Sequence, residues 1–287
     1  MYAITGITGQ VGGQVAEALL AAGEPVRAVV RSAARGAPWA ERGCEVAVVA
    51  DATDAGALGA ALAGVRGAFL MNPPNYDPEP GFADTRRVVA AFAQAIAVGR
   101  PGRVIALSSV GAQVARFNLL NNAGLLEAGL AGAGVPVAML RPAWFIENVQ
   151  WDVMAARAGR IESYLAPLGR GIEMVSVRDI GRVAAGLLRE EWRGCRVVEL
   201  RGPEPVSPQV LASAFGRALD RPVAVTAVPR GDWEARFRAQ GMQHPQARMA
   251  MLDGFNEGWI GFEGAPAGCV MGVVGVETVV ADLLARG

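Results

Sequence analysis

The sequence predicts an α/β protein, in which a doubly wound parallel sheet is followed by a small C-terminal α/β lobe. Three observations support this prediction. Short apolar segments alternate with longer Ala- and Leu-rich segments, as strands and helices do in a parallel α/β protein. The apolar segments are continuous rather than alternating in polarity, which is typical of strands buried on both faces. A glycine-rich loop follows the first apolar segment, as in the Rossmann-type fold.

Six strands can be followed in order along the first half of the chain, because each apolar segment is short and each segment between them is longer and rich in helix formers. The predicted strands are YAIT at 2–5, PVRAVVR at 25–31, EVAVVA at 45–50, GAFLMN at 67–72, RVIALSS at 103–109 and VPVAMLRP at 135–142. The predicted helices between them span 10–22, 55–64, 82–98 and 118–132. This order is the pattern of repeated βαβ units.

The pattern becomes less regular after residue 150. Strands are expected over 172–177 and 196–200, and Asp179 is expected to cap a helix over 180–190. Ser207 follows a Pro-rich break and is expected to cap the next helix. We therefore assign 1–150 and 172–200 to the Rossmann domain, and 151–171 and 201–287 to the smaller lobe.

The composition excludes several classes of function. The 27 basic and 27 acidic residues cancel, so we expect no nucleic-acid partner and no acidic membrane surface. Residues 1–5 lack a secretory leader pattern, and no apolar stretch reaches the roughly 18 residues of a membrane span. One histidine and three cysteines lie far apart, which disfavours a metal site and a disulfide framework. We expect a cytoplasmic protein.

The glycine loop predicts a dinucleotide site, because it follows a strand and opens a helix. Gly6 allows the tight turn, Gly9 lets backbone N–H groups approach a pyrophosphate, and Gly12 lets the helix lie close to the sheet. The alternative is a structural turn whose glycines serve packing only. The residues expected to contact the dinucleotide here are Gly6, Thr8, Gly9, Gln10, Val11 and Gly12.

The end of the second strand favours NADP(H) over NAD(H). An acidic residue at this position binds the ribose hydroxyls of NAD, whereas an arginine accommodates the 2′-phosphate of NADP. The strand ends in Arg31, Arg35 follows, and no carboxylate lies nearby in the sequence. The alternative is that both arginines are simply solvated.

Three further strand ends should contact the cofactor, because ligands of such sheets lie outside the carboxyl ends of the strands. Asp51 follows the third strand and could accept a hydrogen bond from the adenine amino group; as a helix cap, Thr53 or Asp54 is better placed. Asn72 and Pro73 follow the fourth strand, and Ser108 the fifth.

Five stretches in order, GITGQVGG, VVRS, MNPPN, ALSSVGA and LRPAWFIENV, make the sequence resemble the NmrA-like family of atypical short-chain dehydrogenases/reductases. VSVRDIG at 175–181 and LRGPEPVSPQVL at 200–211 extend the resemblance over nearly the whole chain. RPAWFIEN and VRDI are similar to the branch that includes NADPH-dependent quinone reductases. The resemblance implies a Rossmann domain with a small C-terminal lobe, bound NADP(H), and either reduction of quinone-like electrophiles or redox sensing without turnover.

The chain contains no lysine, which rules out the Tyr/Lys pair by which ordinary short-chain reductases donate a proton. Hydride transfer to a quinone makes weaker demands, since the acceptor delocalises the developing charge and positioning supplies most of the help. Catalytic candidates are Ser108, Ser109 and Tyr76, and substrate-binding candidates are Tyr76, Trp144, Phe145 and Asn148. The serines could equally satisfy strand-end backbone, and the aromatic residues could be core.

Three hypotheses therefore stand. The first is an NADPH-dependent oxidoreductase that transfers hydride to a small apolar, quinone-like substrate. The second is a non-catalytic NADP(H) redox sensor that acts through protein contacts. The third is an isomerase or dehydratase that keeps the nucleotide structurally. The sequence leaves open a homodimer or a regulatory protein partner.

Overall fold

A computed structural model describes residues 1–286 of the chain. The strands are β1 Tyr2–Ile4, β2 Val26–Val30, β3 Glu45–Val48, β4 Gly67–Leu70, β5 Val104–Leu107, β6 Val137–Pro142, β7 Trp144–Phe145, β8 Arg160–Ser163, β9 Ile172–Val175, β10 Cys195–Arg201, β11 Pro205–Val206, β12 Ala224–Ala227 and β13 Val270–Met271. The α-helices are α1 Gln10–Ala21, α2 Ala33–Ala40, α3 Ala55–Leu62, α4 Ala83–Gly99, α5 Asn121–Leu130, α6 Val153–Arg157, α7 Val177–Arg189, α8 Pro208–Leu219, α9 Trp233–Ala239, α10 Gln246–Glu257 and α11 Val276–Arg286. Short 3₁₀ turns span Ile146–Asp152, Arg230–Asp232 and Pro266–Gly268.

The central sheet has eight strands in the order β13-β10-β6-β5-β4-β1-β2-β3, and its paired strands are parallel. The chain order reverses between β1 and β4, which makes their carboxyl ends the switch point where doubly wound sheets bind ligands. The predicted fold class is confirmed.

Helices cover both faces of this sheet. Tyr2 and Ile4 of β1 pack in a core with α1 and α7, whereas Ala3 between them packs in the core beneath α3, α4 and α5. Neighbouring residues of a strand point to opposite faces, so strands covered on both faces must be apolar throughout. This burial explains the continuous apolar segments of the sequence.

Two details of the sequence prediction were wrong or incomplete. The helix predicted after Asp179 begins earlier, at Val177, with Ser176 as its cap. Asp179 is buried instead, and its carboxylate accepts hydrogen bonds from the backbone of Val273 and Val274. Helix α2 was missed because Gly36 and Pro38 interrupt its short sequence. By contrast, Ser207 caps α8 as expected, since its side chain accepts a hydrogen bond from the Val210 N–H.

The C-terminal part builds a separate core from α8 to α11 and the segment after β7. Aromatic residues contribute to this core, since Trp233, Phe237 and Phe255 are buried. Strand β9 joins β7 and β11 in a three-stranded sheet, while β10 and β13 extend the central sheet. The chain therefore crosses between the two parts several times, and the domain boundaries given above stay a prediction. Within residues 1–286 no helix has the length and apolar character needed to cross a membrane.

Candidate cofactor and substrate site

The glycine loop leaves β1 and turns tightly into α1. Gly6 has a φ of +62°, in the left-handed region that favours glycine, and its carbonyl accepts a hydrogen bond of 2.9 Å from the Gly9 N–H. A Cβ on Gly12 would lie 2.4 Å from the Gly6 oxygen. Only glycine therefore lets the first turn of α1 pack this closely on the loop.

The N-terminus of α1 is suited to an anion. Gly9 is its cap, no side chain accepts a hydrogen bond from the first turn, and that turn contains no acidic residue. Thr8, Gly9 and Gln10 are exposed, whereas the side chain of Val11 is buried, so Val11 can offer only its backbone. Free N–H groups and the helix dipole at such an end favour phosphate. The cradle fits the pyrophosphate of a dinucleotide.

Two cations stand beside this cradle. Arg31 follows β2 and Arg35 lies in the first turn of α2; both are exposed, and neither forms an ion pair with any residue that the structure describes. Arg35 lines a pocket of about 460 Å³ together with Thr8, Gly9 and Gln10. Unpaired guanidinium groups next to a pyrophosphate cradle fit the extra phosphate of NADP(H).

A second pocket, of about 250 Å³, brings together Asp51, Asn72 and Pro73 at the ends of β3 and β4. Oδ1 of Asp51 accepts hydrogen bonds of 2.8 Å from the N–H and the hydroxyl of Thr53, and these bonds lower the pKa of Asp51. Within residues 1–286 no group donates to its second carboxylate oxygen, which can accept a further bond. Asp54, not Asp51, caps α3, as the sequence suggested.

Asn72 contains an unpaired acceptor. Its Nδ2 donates to the backbone oxygen of Asn122 at 3.3 Å, but its Oδ1 is buried and has no donor within residues 1–286. A buried amide oxygen without a donor costs about 1–3 kcal/mol. Such an atom beside Asp51 is well suited to accept a hydrogen bond from a bound nucleotide.

The two serines after β5 differ in what their hydroxyls can do. Ser108 is buried, and its hydroxyl donates to Glu127 of α5. Ser109 is half-buried, and its hydroxyl has no hydrogen-bond partner among the described residues. A hydroxyl carries one proton, so Ser108 cannot donate to a substrate while it donates to Glu127. Of the two, Ser109 is the available donor.

Glu127 belongs to a buried charge network that the sequence analysis missed. Arg141 of β6 donates two hydrogen bonds of 2.7 Å to it, and Arg141 also pairs with Glu263. The bonds to Glu127 raise the pKa of Arg141 despite the opposing effect of burial. A sequence signal existed, since a charge interrupts both the apolar strand at 135–142 and the apolar helix at 118–132.

The substrate side begins after β6. Trp144 is half-buried and packs edge-on against Phe255 of α10, with ring centroids 5.1 Å apart. Phe145, also half-buried, packs against the core of the central sheet. Trp144 therefore contacts the C-terminal core and Phe145 the Rossmann core. This places the two aromatic residues where both parts of the molecule meet.

The 3₁₀ turn that carries Asn148 is fixed by its neighbour Glu147. The buried Glu147 carboxylate accepts hydrogen bonds from the Ser176 hydroxyl at 2.6 Å and the Val177 N–H at 2.9 Å. Burial raises the pKa of Glu147, and the bond from Ser176 opposes this rise. Asn148 is half-buried. Farther along the same turn, Gln150 accepts a hydrogen bond of 3.0 Å from Gln10 of the glycine loop.

Tyr76 lies in the loop after β4, with 62% of its surface exposed. Its loop is tied to the C-terminal lobe by Asp77, whose carboxylate accepts 2.6 Å hydrogen bonds from the backbone N–H groups of Gln243 and His244. Asp77 is not among the site residues that the sequence predicts. His244, the only histidine of the chain, serves this contact through its backbone.

The candidate residues thus follow the carboxyl edge of the sheet from β3 to β6.

The chain is also similar to known proteins. The family model described as the NmrA-like family matches residues 2–255. An NAD(P)H azoreductase from Xenophilus azovorans is 28% identical over 90% of this chain and 85% of that protein. Quinone oxidoreductase 2 from Escherichia coli strain K12 is 28% identical over 87% of this chain and 85% of that protein.

A solved structure supports the fold assignment. The triphenylmethane reductase of Citrobacter sp. complexed with NADP(H) superimposes with a TM-score of 0.82 at 20% identity, over 99% of this chain and 100% of that one. The likeness covers the central sheet and the C-terminal lobe alike. Since the family model spans most of the chain, the protein belongs to the NmrA-like family.

Proposed function

We propose that this protein is an NADPH-dependent reductase that transfers hydride to a quinone-like or otherwise activated, apolar acceptor. The observation that carries the proposal is the continuous edge that runs from the phosphate cradle of α1 to the half-buried Trp144 and Phe145. Its relatives named NAD(P)H azoreductase and quinone oxidoreductase 2 support the same class of reaction.

The cofactor would be held by residues that follow four strands, β1 to β4. The α1 N-terminus and Gly9 would bind the pyrophosphate, and Arg31 with Arg35 the 2′-phosphate. Asp51 and the buried Oδ1 of Asn72 would accept hydrogen bonds from the nucleotide. When bound, NADPH supplies a hydride at its nicotinamide.

The protein itself would contribute to the reaction by positioning the acceptor and by supplying one hydroxyl group as a hydrogen-bond donor. Trp144 and Phe145 form an apolar wall that would orient a flat acceptor and exclude water. The unengaged hydroxyl of Ser109 would donate a hydrogen bond to the acceptor oxygen as negative charge develops there. Ser108 would act by holding Glu127 and the strand end in place. No Tyr/Lys pair takes part, because the chain has no lysine.

Two arginine variants test the cofactor assignment. Replacing Arg31 or Arg35 with alanine should weaken NADPH binding by about 10-fold each, since a charge-assisted hydrogen bond contributes about 1.5–3 kcal/mol and exposure to solvent reduces this. Binding of NADH, which lacks the phosphate, should not change. Isothermal titration of both nucleotides measures this; equal losses for NADPH and NADH would contradict the 2′-phosphate assignment.

Turnover tests the reaction itself. Purified protein should oxidise NADPH in the presence of naphthoquinones, enones or azo compounds, followed by the loss of nicotinamide absorbance. No turnover across such a panel, despite tight NADPH binding, would refute the reductase proposal. A redox sensor would then be the better function, and the engagement of Ser108 with Glu127 favours that alternative because it removes one of the few candidate proton donors.

We also propose that the protein works in the cytoplasm. Cys44, Cys195 and Cys269 are free thiols in the structure, as expected in a reducing compartment. A homodimer or a regulatory partner stays a prediction, which light scattering of the purified protein with and without NADPH would test.

A further inference from the structure

Helix α10 carries a half-buried arginine without a counter-ion. The Arg248 guanidinium lies 4.6 Å from the Phe237 ring centroid, and its Nη1 is 3.7 Å from the Met242 sulfur. A guanidinium has five N–H donors. Among residues 1–286, no oxygen atom accepts a hydrogen bond from Arg248 and no carboxylate forms an ion pair with it.

Two acids, one bound to the backbone just before α10 and one within α10, have other partners. Asp77 accepts hydrogen bonds from two backbone N–H groups at its end of α10. Asp253, on the same helix, forms hydrogen bonds of 2.7 and 2.8 Å with Arg230. Burial lowers the pKa of Arg248, and only the neighbouring phenols of Tyr164 and Tyr76 oppose this effect. The cation is therefore left with its charge uncompensated.

Arg248 lies on the helix that packs against Trp144, where we propose that the substrate binds. Phe255, which packs against Trp144, follows Arg248 by seven residues on α10. Seven residues are two turns, so both side chains lie on one helix face, separated by about 10 Å along the axis. Tyr76, near Arg248, belongs to the loop after β4. Trp144 therefore contacts one end of this helix face, and Arg248 lies at the other end.

Two phenol groups near Arg248 have hydroxyls that are not engaged within residues 1–286. The hydroxyls of Tyr76 and Tyr164 have no hydrogen-bond partner within the part of the chain that the structure describes. The Tyr164 ring is stacked on Phe237 with ring centroids 4.9 Å apart, and the Arg248 guanidinium lies over the same Phe237 ring. Two phenols and a guanidinium together are complementary to an anion such as a carboxylate, which can accept several hydrogen bonds at once.

We propose that Arg248, assisted by Tyr76 and Tyr164, binds an anionic group of the substrate. The substrate class is then an elongated aromatic or quinonoid acceptor, with its reducible part near Trp144 and a carboxylate or similar anion about 10 Å away. This inference rests on the proposed reductase function, because it takes the wall at Trp144 as the place of the reaction. It assigns Arg248 to specificity and not to the chemical step.

A matched pair of substrates tests the inference. One is a methylnaphthoquinone with an alkyl chain that ends in a carboxylate, and the other is its methyl ester; the quinone is the same and only the remote charge differs. Charge-assisted hydrogen bonds in a half-buried site predict that Arg248→Met lowers kcat/KM for the carboxylate by about 10- to 100-fold. The value for the ester should change by less than about 3-fold, since methionine keeps the apolar stem that covers Phe237.

Two control variants separate charge from packing. Arg248→Lys keeps the charge but not the planar fork and should recover part of the preference for the carboxylate. Arg160→Met removes one exposed charge from the same lobe and should leave the preference unchanged. NADPH affinity should be the same in all variants. An equal fall for both quinones in Arg248→Met, or an unchanged ratio, would overturn the inference and assign Arg248 to packing.

Direct binding keeps this test independent of turnover. If the wild-type protein reduces neither quinone, the proposed function fails, and binding of the two quinones is measured by quenching of tryptophan fluorescence. Tighter binding of the carboxylate that is lost in Arg248→Met would support the anion site even then. Equal binding of carboxylate and ester by the wild type would refute it.

Discussion

Replacing Gly12 with alanine should damage the cofactor cradle while leaving the rest of the fold intact. The added Cβ would lie 2.4 Å from the Gly6 oxygen and 2.5 Å from the Gly6 carbonyl carbon. Both atoms belong to the backbone, so a side-chain rotation cannot relieve the contact. The loop must move away from α1 by roughly 0.6 Å to reach the shortest separation that real Cβ atoms show.

The size of the effect follows from two opposing terms. Overpacking of this kind costs about 1–3 kcal/mol, and alanine recovers about 0.5–1 kcal/mol in a helix. The net loss is then between about 0 and 2.5 kcal/mol, with a midpoint near 1.2 kcal/mol that should lower Tm by roughly 2 °C in a chain of this length. NADPH affinity should fall by about 10- to 100-fold, because N–H groups that face the pyrophosphate lose their alignment.

Gly13→Ala is the matched control. It adds the same methyl group one residue later, where the nearest non-neighbouring atom, the Ile7 oxygen, is 3.3 Å from the new Cβ. We expect its Tm to be unchanged or slightly higher, and its NADPH affinity to be within about 3-fold of wild type. Calorimetry and thermal unfolding give both quantities. Wild-type NADPH affinity in Gly12→Ala would refute the proposed geometry of the loop.

Three other variants test the buried ion pair at Glu127, the available hydroxyl of Ser109, and Asp152, the partly buried acid that ends the 3₁₀ turn after β7. Glu127→Gln removes the partly buried charged partner of the buried Arg141 and leaves it only the exposed Glu263, so chemical denaturation should show a loss of about 3 kcal/mol; a loss below about 1 kcal/mol would contradict a structural role for this pair. Ser109→Ala should lower kcat for a quinone by about 10-fold with little change in Tm, since it removes the available hydroxyl; unchanged kcat would exclude Ser109 as the donor. Burial raises the pKa of Asp152 from 3.8 to about 6, so the neutral acid stabilises the fold below about pH 4 and this contribution is lost as the pH rises through about 6. Asp152→Asn should therefore lose less stability than wild type over this pH range, by on the order of 2 kcal/mol. Identical profiles of stability against pH for the two proteins would contradict the assignment.

The order of elements was predictable because it depends on local patterns. Continuous apolar segments gave the buried strands, and the loop from Gly6 to Gly12 gave the first turn and helix. The sequence did not predict helix α2, because Gly36 and Pro38 interrupt its short helical pattern. The sequence predicts Asp179 as a helix cap, whereas in the folded protein its carboxylate accepts hydrogen bonds from the backbone of Val273 and Val274. Spacing in the sequence cannot reveal a contact with a segment more than ninety residues away.

The sequence by itself determined the fold class, the position of the glycine loop and the absence of a Tyr/Lys pair, since these depend on local pattern and composition. Tertiary structure decided which of two adjacent serines keeps a free hydroxyl, because that choice depends on Glu127 from another helix. It also decided that Arg248 forms no ion pair with any residue from 1 to 286. Hydrogen-bond partners come from distant parts of the chain, and for that reason the donors left free for a ligand are a property of the folded molecule.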